Sequence, residues 1–467
     1  MFENMDEAGL LGEMSCARRD ERVAVARRLL AAGRLCQLRM AGLGAEDRFQ
    51  WCVDNWEAVA AEVGAELGVS RGRASSEMNY GVELLERLPR LAAAFAAGEV
   101  DFRVIAVAVF RTGLISDGDT LAGIDASLAA GAPRWNALSR ARVAELVDWR
   151  VRNADPAAVR VARGVDADRR VGFGPTRDGM TEFWGSLRAP DAVVLDRRLD
   201  QLAAAVCRTD PRTRAQQRAD ALVALSAGRA VLNCECDSAD CPARDADAGP
   251  GQIVIHLLAE AGTVAGDSDA PGYLPGHGAI PAEAVRDYAS RARLRPLARA
   301  GELRAESHYR PSVALAAFIR ARDLSCRFPG CDKPAEVCDI DHTIPHSLGG
   351  PTHPGNLALL CRLHHLLKTF WTGENGWQEK QFSDGVILWT SPSGRLYTTT
   401  PDGALFFPQL GEPTERLDIA ITETEPTRGR GLLMPTRRGS RASERMTRIA
   451  WERGINEKRW AADPPPF

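Results

Sequence analysis

Two short pairs of metal-ligating side chains, Cys326 with Cys331 and Cys361 with His364, separated by 29 residues, constrain this 467-residue chain more than any other feature it carries. Such spacing is what two knuckles closing one tetrahedral zinc require. The stretch they bracket is too short to bury the apolar area that a free-standing fold needs, and zinc supplies roughly 10–16 kcal/mol of apparent folding energy in comparable fingers. A structural Zn2+ held by Cys326, Cys331, Cys361 and His364 is therefore expected to replace a core. The alternative is a set of unrelated buried cysteines.

Between the pairs, Val337–His342 reads as a strand, Pro345–Gly355 as a turn-rich loop, Leu357–Cys361 as a second strand and Arg362–Phe370 as a short helix, giving the order ββα. On a helix the residue after His364 is rotated by about 100°, so His365 faces a different site. Asp341 and His342 are neighbours on a strand and project to opposite faces, so one can hold a divalent ion while the other addresses water. Lys368, one turn beyond the histidines, and Arg327 and Lys333 on the first knuckle are candidate phosphate contacts, with a solvated side chain as the plain alternative. His346 and His353 are expected to be exposed in the loop, and Cys338 to face the interior.

The rest of the chain is longer than one core supports. Residues 1–165 read as a helical domain, with Val23, Ala26, Leu29 and Leu30 and then Val53, Trp56, Val59, Val63 and Leu67 returning at helical spacing. Residues 166–300 read as a mixed α/β segment: a hairpin over Arg169–Leu187, two helices, a short strand at Ile253–Leu258, a loop over Gly262–Gly278 and a helix from Pro281. The finger takes 301–372, and a β-meander with turns at Asp384-Gly385 and Ser393-Gly394 takes 373–422. In the stretch 423–467, ten Arg/Lys between Arg428 and Arg459 face three Glu, which reads as a basic disordered tail. The fold class expected is thus α+β, mainly helical at its N-terminal side.

A net charge of −3 gives no global attraction to nucleic acid, so any such surface has to be local. No apolar stretch is long enough to span a membrane, and Met1 to Asp20 lacks the basic start and apolar core of an export signal. Cytoplasmic placement is expected, where clustered cysteines argue for metal before disulfides.

Two weaker signals remain. Cys234, Cys236 and Cys241 bind a second zinc only if a remote ligand such as His256 or Cys207 completes the set; otherwise they are a reduced cysteine cluster. Ala60–Leu85, with Gly68 at a turn and Ser70 as a cap, has the outline of a helix-turn-helix that would turn Arg71 and Arg73 toward DNA. Glu77 falls where the second helix should be apolar, which favours a plain helical hairpin.

The run Cys326-Arg-Phe-Pro-Gly-Cys331, Asp341-His342-Thr-Ile-Pro345, Gly349-Gly350, Asn356-Leu357 and Cys361-Arg-Leu-His364-His365-Leu-Leu-Lys368 resembles the HNH signature endonucleases of the ββα-metal superfamily. The flanking sequence, with Phe-Ile-Arg-Ala-Arg-Asp before it and Asp-Pro-Pro-Pro-Phe at its end, is similar to an actinobacterial group that places an N-terminal domain of unknown function, number 222, before such a nuclease. The resemblance implies a metal-dependent DNA endonuclease or nickase acting on double-stranded DNA. It casts His342 as general base, Asp341 and His365 as ligands of a catalytic Mg2+ or Mn2+, and Asn356 as the brace of the loop that aims His342. The family often has two residues between paired cysteines where this chain has four between Cys326 and Cys331, and its fourth zinc ligand here is His364. The competing expectation is a non-catalytic zinc-finger protein that binds DNA as a regulator.

Overall fold

A computed structural model of the chain describes residues 2, 5–42, 48–160, 169–177, 179–187, 189–238, 240–241, 243, 256–275, 278–415, 417 and 433–462. It divides into two compact units, Met1–Val161 with Pro296–Phe467, and Ala162–Arg295.

The first unit begins with α1 (Glu7–Gly42), α2 (Asn55–Leu67), α3 (Arg71–Glu86), α4 (Pro89–Ala96), α5 (Phe102–Thr112), α6 (Gly118–Gly131) and α7 (Arg140–Ala154). Caps set several starts: the side chains of Asp54, Asp101, Asp117 and Ser139 each accept a backbone N–H of the first turn. The core gathers Leu29, Leu84, Leu91, Phe95, Ile105, Leu128 and Val147 from successive helices, each worth roughly 1.5–3 kcal/mol when fully buried. α1 and α3 cross backbone to backbone at Gly33 and Gly81: a Cβ on Gly81 would lie 2.0 Å from the Leu29 carbonyl oxygen. Gly81→Ala should therefore cost about 1–3 kcal/mol through forced separation of the helices, read as a lowered urea midpoint.

α2 and α3 form a hairpin over Val59, Ala60, Val63, Ala74 and Met78. Arg71 is paired with the buried Glu57, while Arg73 and Arg28 reach Glu77 at 2.8 and 2.9 Å. Arg71 and Arg73 are thus paired with carboxylates of the α2–α3 hairpin while remaining about half exposed, an arrangement that agrees with the plain helical hairpin.

The second unit carries an antiparallel hairpin, β1 (Arg170–Arg177) with β2 (Met180–Ser186), then α8 (Ala189–Ala205), α9 (Arg214–Ser226), α10 (Ala261–Ala265), a short pair β3 (Gly272–Leu274) and β4 (Gly278–Ile280), and α11 (Ala282–Arg291). Residues 253–255 of the strand expected at Ile253–Leu258 lie outside the described residues; Leu258 makes an isolated bridge to Tyr273. The stretch expected to be a loop to Gly278 holds α10 and β3, because Thr263 is fully buried and donates to the Ala270 carbonyl at 3.0 Å.

The first unit resumes with α12 (Val313–Asp323), β5 (Cys338–His342) antiparallel to β6 (Leu357–Cys361), and α13 (Arg362–Phe370), the expected ββα order. The meander follows as β7 (Gln378–Gln381), β8 (Ile387–Thr390) and β9 (Leu396–Thr399), with Gly385 and Gly394 at positive φ in its turns. After α14 (Gly403–Phe406) comes α15 (Arg441–Ala462), a helix within the stretch 423–467 expected to be a disordered tail, of which residues 423–432 and 463–467 lie outside the described residues. Its basic residues are the reason for the order: Arg441 pairs with Asp54 at 2.6 Å and with Glu57, Arg445 with Glu83, and Arg453 with Asp155 at 2.6 Å. Those carboxylates are largely buried among the N-terminal helices and need cations beside them. No described helix is long and apolar enough to cross a membrane.

Candidate active site and cysteine centre

β5 and β6 pair Cys338 with Cys361 and His342 with Leu357, so α13 begins where the first knuckle approaches. There the Sγ atoms of Cys326, Cys331 and Cys361 and a ring nitrogen of His364 all lie within 4.8 Å of one another. His364 Nδ1 is 3.5 Å from Cys326 Sγ and 3.4 Å from Cys361 Sγ, and Cys331 Sγ is 4.0 Å from Cys361 Sγ. Thiolates at 2.3 Å from one tetrahedral ion stand about 3.8 Å apart, so the four donors have the dimensions of such a site. The backbone N–H of Cys361 donates to Cys326 Sγ at 3.2 Å, and Phe328 stacks on His364 with centroids 4.0 Å apart, which fixes both the sulfur and the ring. Gly330 turns the knuckle at φ 74°, and a Cβ there would meet the Gly64 carbonyl oxygen of α2 at 2.7 Å.

One face of β5 presents Asp339 and Asp341 to α13. His365 places Nδ1 2.8 Å from Asp339 Oδ2 and Nε2 3.4 Å from Asp341 Oδ1. A neutral imidazole that donates Nδ1–H to Asp339 leaves the Nε2 lone pair facing Asp341, the arrangement in which a carboxylate orients a histidine for a metal. Two neighbouring ligands of an octahedral Mg2+ at 2.1 Å stand about 3 Å apart, so this nitrogen and oxygen fit a divalent ion. The other oxygen of Asp341 accepts from Lys368 Nζ at 2.6 Å. Burial pushes the Asp341 carboxyl up, but His365 and Lys368 outweigh it and hold it below its ordinary value. Glu379 on β7 is the second carboxylate on Lys368; burial, only partly offset by that lysine, raises it to about 7.

His342 projects from the opposite face and is 5% exposed. Its Nε2 is 2.9 Å from Thr352 Oγ1, and that hydroxyl donates to the His308 carbonyl at 2.5 Å. With its proton committed, the threonine oxygen accepts from His342, so the imidazole carries its hydrogen on Nε2 and its lone pair on Nδ1. Tyr309 stacks over the ring with centroids 5.3 Å apart, and burial lowers the imidazole to about 4. The loop after β5 is pinned by Asn356: its Oδ1 accepts from the Ile344 N–H at 2.8 Å, and its Nδ2 donates to the Ile344 and Pro351 carbonyls at 3.0 Å each. Gly350 allows that closeness, since a Cβ on it would lie 1.9 Å from the Ile344 carbonyl oxygen.

Four expectations need correction. His346 is half-buried, packed edge-on against Tyr309 and His342 with ring centroids 5.7 and 5.6 Å away. Arg327 is buried, donating to Asp323 at 2.9 Å and to the Thr399 carbonyl at 2.7 Å, so it is an internal cation and does not face a phosphate. Lys368 is held between Asp341 and Glu379 with a further bond of 2.7 Å to the His342 carbonyl, which turns it into the site. His353 is fully buried, its Nδ1 accepting from the Gly355 N–H at 3.0 Å, because it closes the turn before Asn356. Lys333 is exposed, and Cys338 is buried as expected. Among residues the motif did not single out, Asp339 was legible from its two-residue offset to Asp341 on a strand. Thr352 and Glu379 carried no such signal.

The sequence pattern of the family described as Domain of unknown function (DUF222) matches residues 16–323, and that of the family described as HNH endonuclease matches residues 326–370. The chain is similar to the uncharacterized protein Rv3776 of Mycobacterium tuberculosis, at 42% identity across 100% of this chain and 93% of that one. It is also similar to the uncharacterized protein Rv2100 of the same organism, at 40% identity across 99% and 90% of the two. No solved structure matches.

Proposed function

Because this chain belongs to the DUF222 family and carries an HNH endonuclease domain behind that region, we propose that it is a metal-dependent nuclease that hydrolyses phosphodiester bonds of double-stranded DNA. The observation that carries the reading is the pair of oppositely prepared histidines: His365, turned by Asp339 so that Nε2 meets Asp341, and His342, turned by Thr352 so that Nδ1 is free.

Asp341 Oδ1 and His365 Nε2 would hold Mg2+ or Mn2+, which when bound stabilises negative charge on the scissile phosphate and the leaving oxygen. His342 Nδ1 takes a proton from water as the water oxygen bonds to phosphorus and the bond to the leaving oxygen breaks. Thr352 keeps that imidazole in the required tautomer, and Asn356 fixes the loop beside it. Lys368 orients the Asp341 carboxylate, and Glu379 keeps the lysine charge compensated. Cys326, Cys331, Cys361 and His364 would hold a structural Zn2+ that joins the first knuckle to α13. The rival reading, a regulator that holds DNA through the zinc finger and the basic tail, loses part of its tail surface because Arg441, Arg445 and Arg453 of α15 are engaged by Asp54, Glu57, Glu83 and Asp155.

Incubation of the full chain with supercoiled plasmid should give nicked or linear DNA with Mg2+ or Mn2+ and none with EDTA. Asp341→Ala should be inactive over the whole metal series. Relaxation by Asp341→Ala at the wild-type rate, or in EDTA, would remove the proposal. Binding without cleavage under every metal would select the regulator instead.

A further inference from the structure

Far from the nuclease motif in sequence, the second unit brings four cysteines together: Cys207 just beyond α8, and Cys234, Cys236 and Cys241 in the loop after α9. Their Sγ atoms all lie within 4.8 Å of one another, with Cys207 and Cys234 at 3.3 Å, and Cys234 and Cys236 are buried. We propose that these four thiolates hold a second zinc ion, a structural one, in the DUF222 region.

Three features carry this. Four sulfurs converge where a disulfide would use two, and four is the number that completes a tetrahedral soft-cation site. Cys207 supplies the ligand that the tight group at 234, 236 and 241 lacks by itself. The loop is also built in advance of any metal. Asp210, with a fully buried side chain, accepts from Arg212 Nη2 at 2.8 Å and from the Glu235 N–H at 2.9 Å, which places that amide between the two neighbouring cysteines. Arg212 then donates to the Asn233 carbonyl at 2.7 Å, and the Cys234 N–H donates to the Ala243 carbonyl at 2.7 Å. Next to this cage the apolar cluster is small, with Leu202, Ala221, Ala224 and Leu232 as its buried members. A core of that size is poorly suited to fixing a loop, whereas a cation bonded to all four sulfurs ties α8 to the segment after α9 directly. Binding exchanges thiol protons for the cation, and those protons leave to solvent.

The test is zinc stoichiometry in the full chain purified under reducing conditions, measured by elemental analysis on wild type and on Cys234→Ser/Cys236→Ser. The expected result is one zinc fewer in the double variant, whatever the Cys326 centre holds. An equal zinc content in the two proteins would overturn the proposal. Since the variant can misfold, X-ray absorption at the zinc edge of wild-type protein gives a second reading. Two occupied centres have seven sulfurs to one nitrogen, four cysteines in one and three with His364 in the other. An average of three sulfurs to one nitrogen with a single zinc per chain would sink it, as would a disulfide joining any two of the four cysteines.

Discussion

His342→Ala should cleave plasmid about 10²–10⁴-fold more slowly than wild type, the range that a general base contributes. The imidazole occupies a buried site where only its neutral form is comfortable, and burial lowers it to about 4. The sign of the pH dependence follows. A histidine with an ordinary value near 6.5 loses half its basic form by that pH, whereas this one keeps a free Nδ1 well below it. At saturating Mg2+ or Mn2+, which keeps the His365 ligand unprotonated although, against burial, Asp341 and Asp339 raise it in the metal-free site, the wild-type kcat/KM should therefore hold as pH falls through 6.5 and break only toward about 4. Stability moves oppositely to what a paired histidine gives: the unfolded chain takes up a proton between pH 6.5 and 4 that the folded chain refuses, so stability is lost as pH is lowered across that window. The alanine protein should lack this term and retain its zinc content and far-ultraviolet circular dichroism. Retention of the wild-type rate would exclude His342 as the base, and a kcat/KM break at 6.5 would assign the titration to a different group.

Much of this centre was legible because its chemistry depends on short-range spacing. The two pairs around Cys326 and Cys361 follow from zinc-ligand spacing, the alternation of Asp341 with His342 and the rotation between His364 and His365 follow from strand and helix periods, and the roles given to these residues follow from the resemblance to the HNH endonucleases. What stayed hidden depends on contacts between distant segments. Arg327 reads as a surface cation until Asp323 and the Thr399 carbonyl are seen around it. The α15 arginines read as a solvated tail because Asp54, Glu57 and Glu83, which bind them, lie in helices hundreds of residues earlier and themselves look like surface charges. A buried charge leaves no mark on periodicity; only its partner reveals it, and sequence does not say which partner. The same limit applied to the fourth cysteine of the second cluster, where Cys207 and His256 were equally open and the folded chain brings in Cys207.

Asp323→Ala should destabilise the first unit by about 3–5 kcal/mol, the cost of leaving buried charge without its counterion. Asp323 is fully buried at the end of α12, between Arg322 and Arg327, which are both 2% exposed. Its Oδ1 accepts from Arg322 Nε at 2.8 Å and Arg327 Nη1 at 2.9 Å, and its Oδ2 accepts from Arg322 Nη2 at 3.2 Å and from the Leu359 N–H at 2.9 Å. One carboxylate thus ties α12 to the first knuckle and to the middle of β6. Arg322 continues to the Pro354 and Leu357 carbonyls at 2.7 Å each, next to Asn356. Burial alone would raise the Asp323 carboxyl, but the two guanidinium groups outweigh it and hold it below its ordinary value. Its contribution is therefore present above the unfolded value near 3.9 and is lost as pH falls through the lower folded value. Arg395→Ala is the matched control. Its salt bridge to Glu66 spans 2.7 Å, but the arginine side chain is 64% exposed, and such surface pairs contribute less than about 1 kcal/mol. Urea unfolding of the two variants compares a buried ion network with a solvated pair in one protein. A loss below about 1 kcal/mol for Asp323→Ala would mean that water or backbone groups replace the carboxylate.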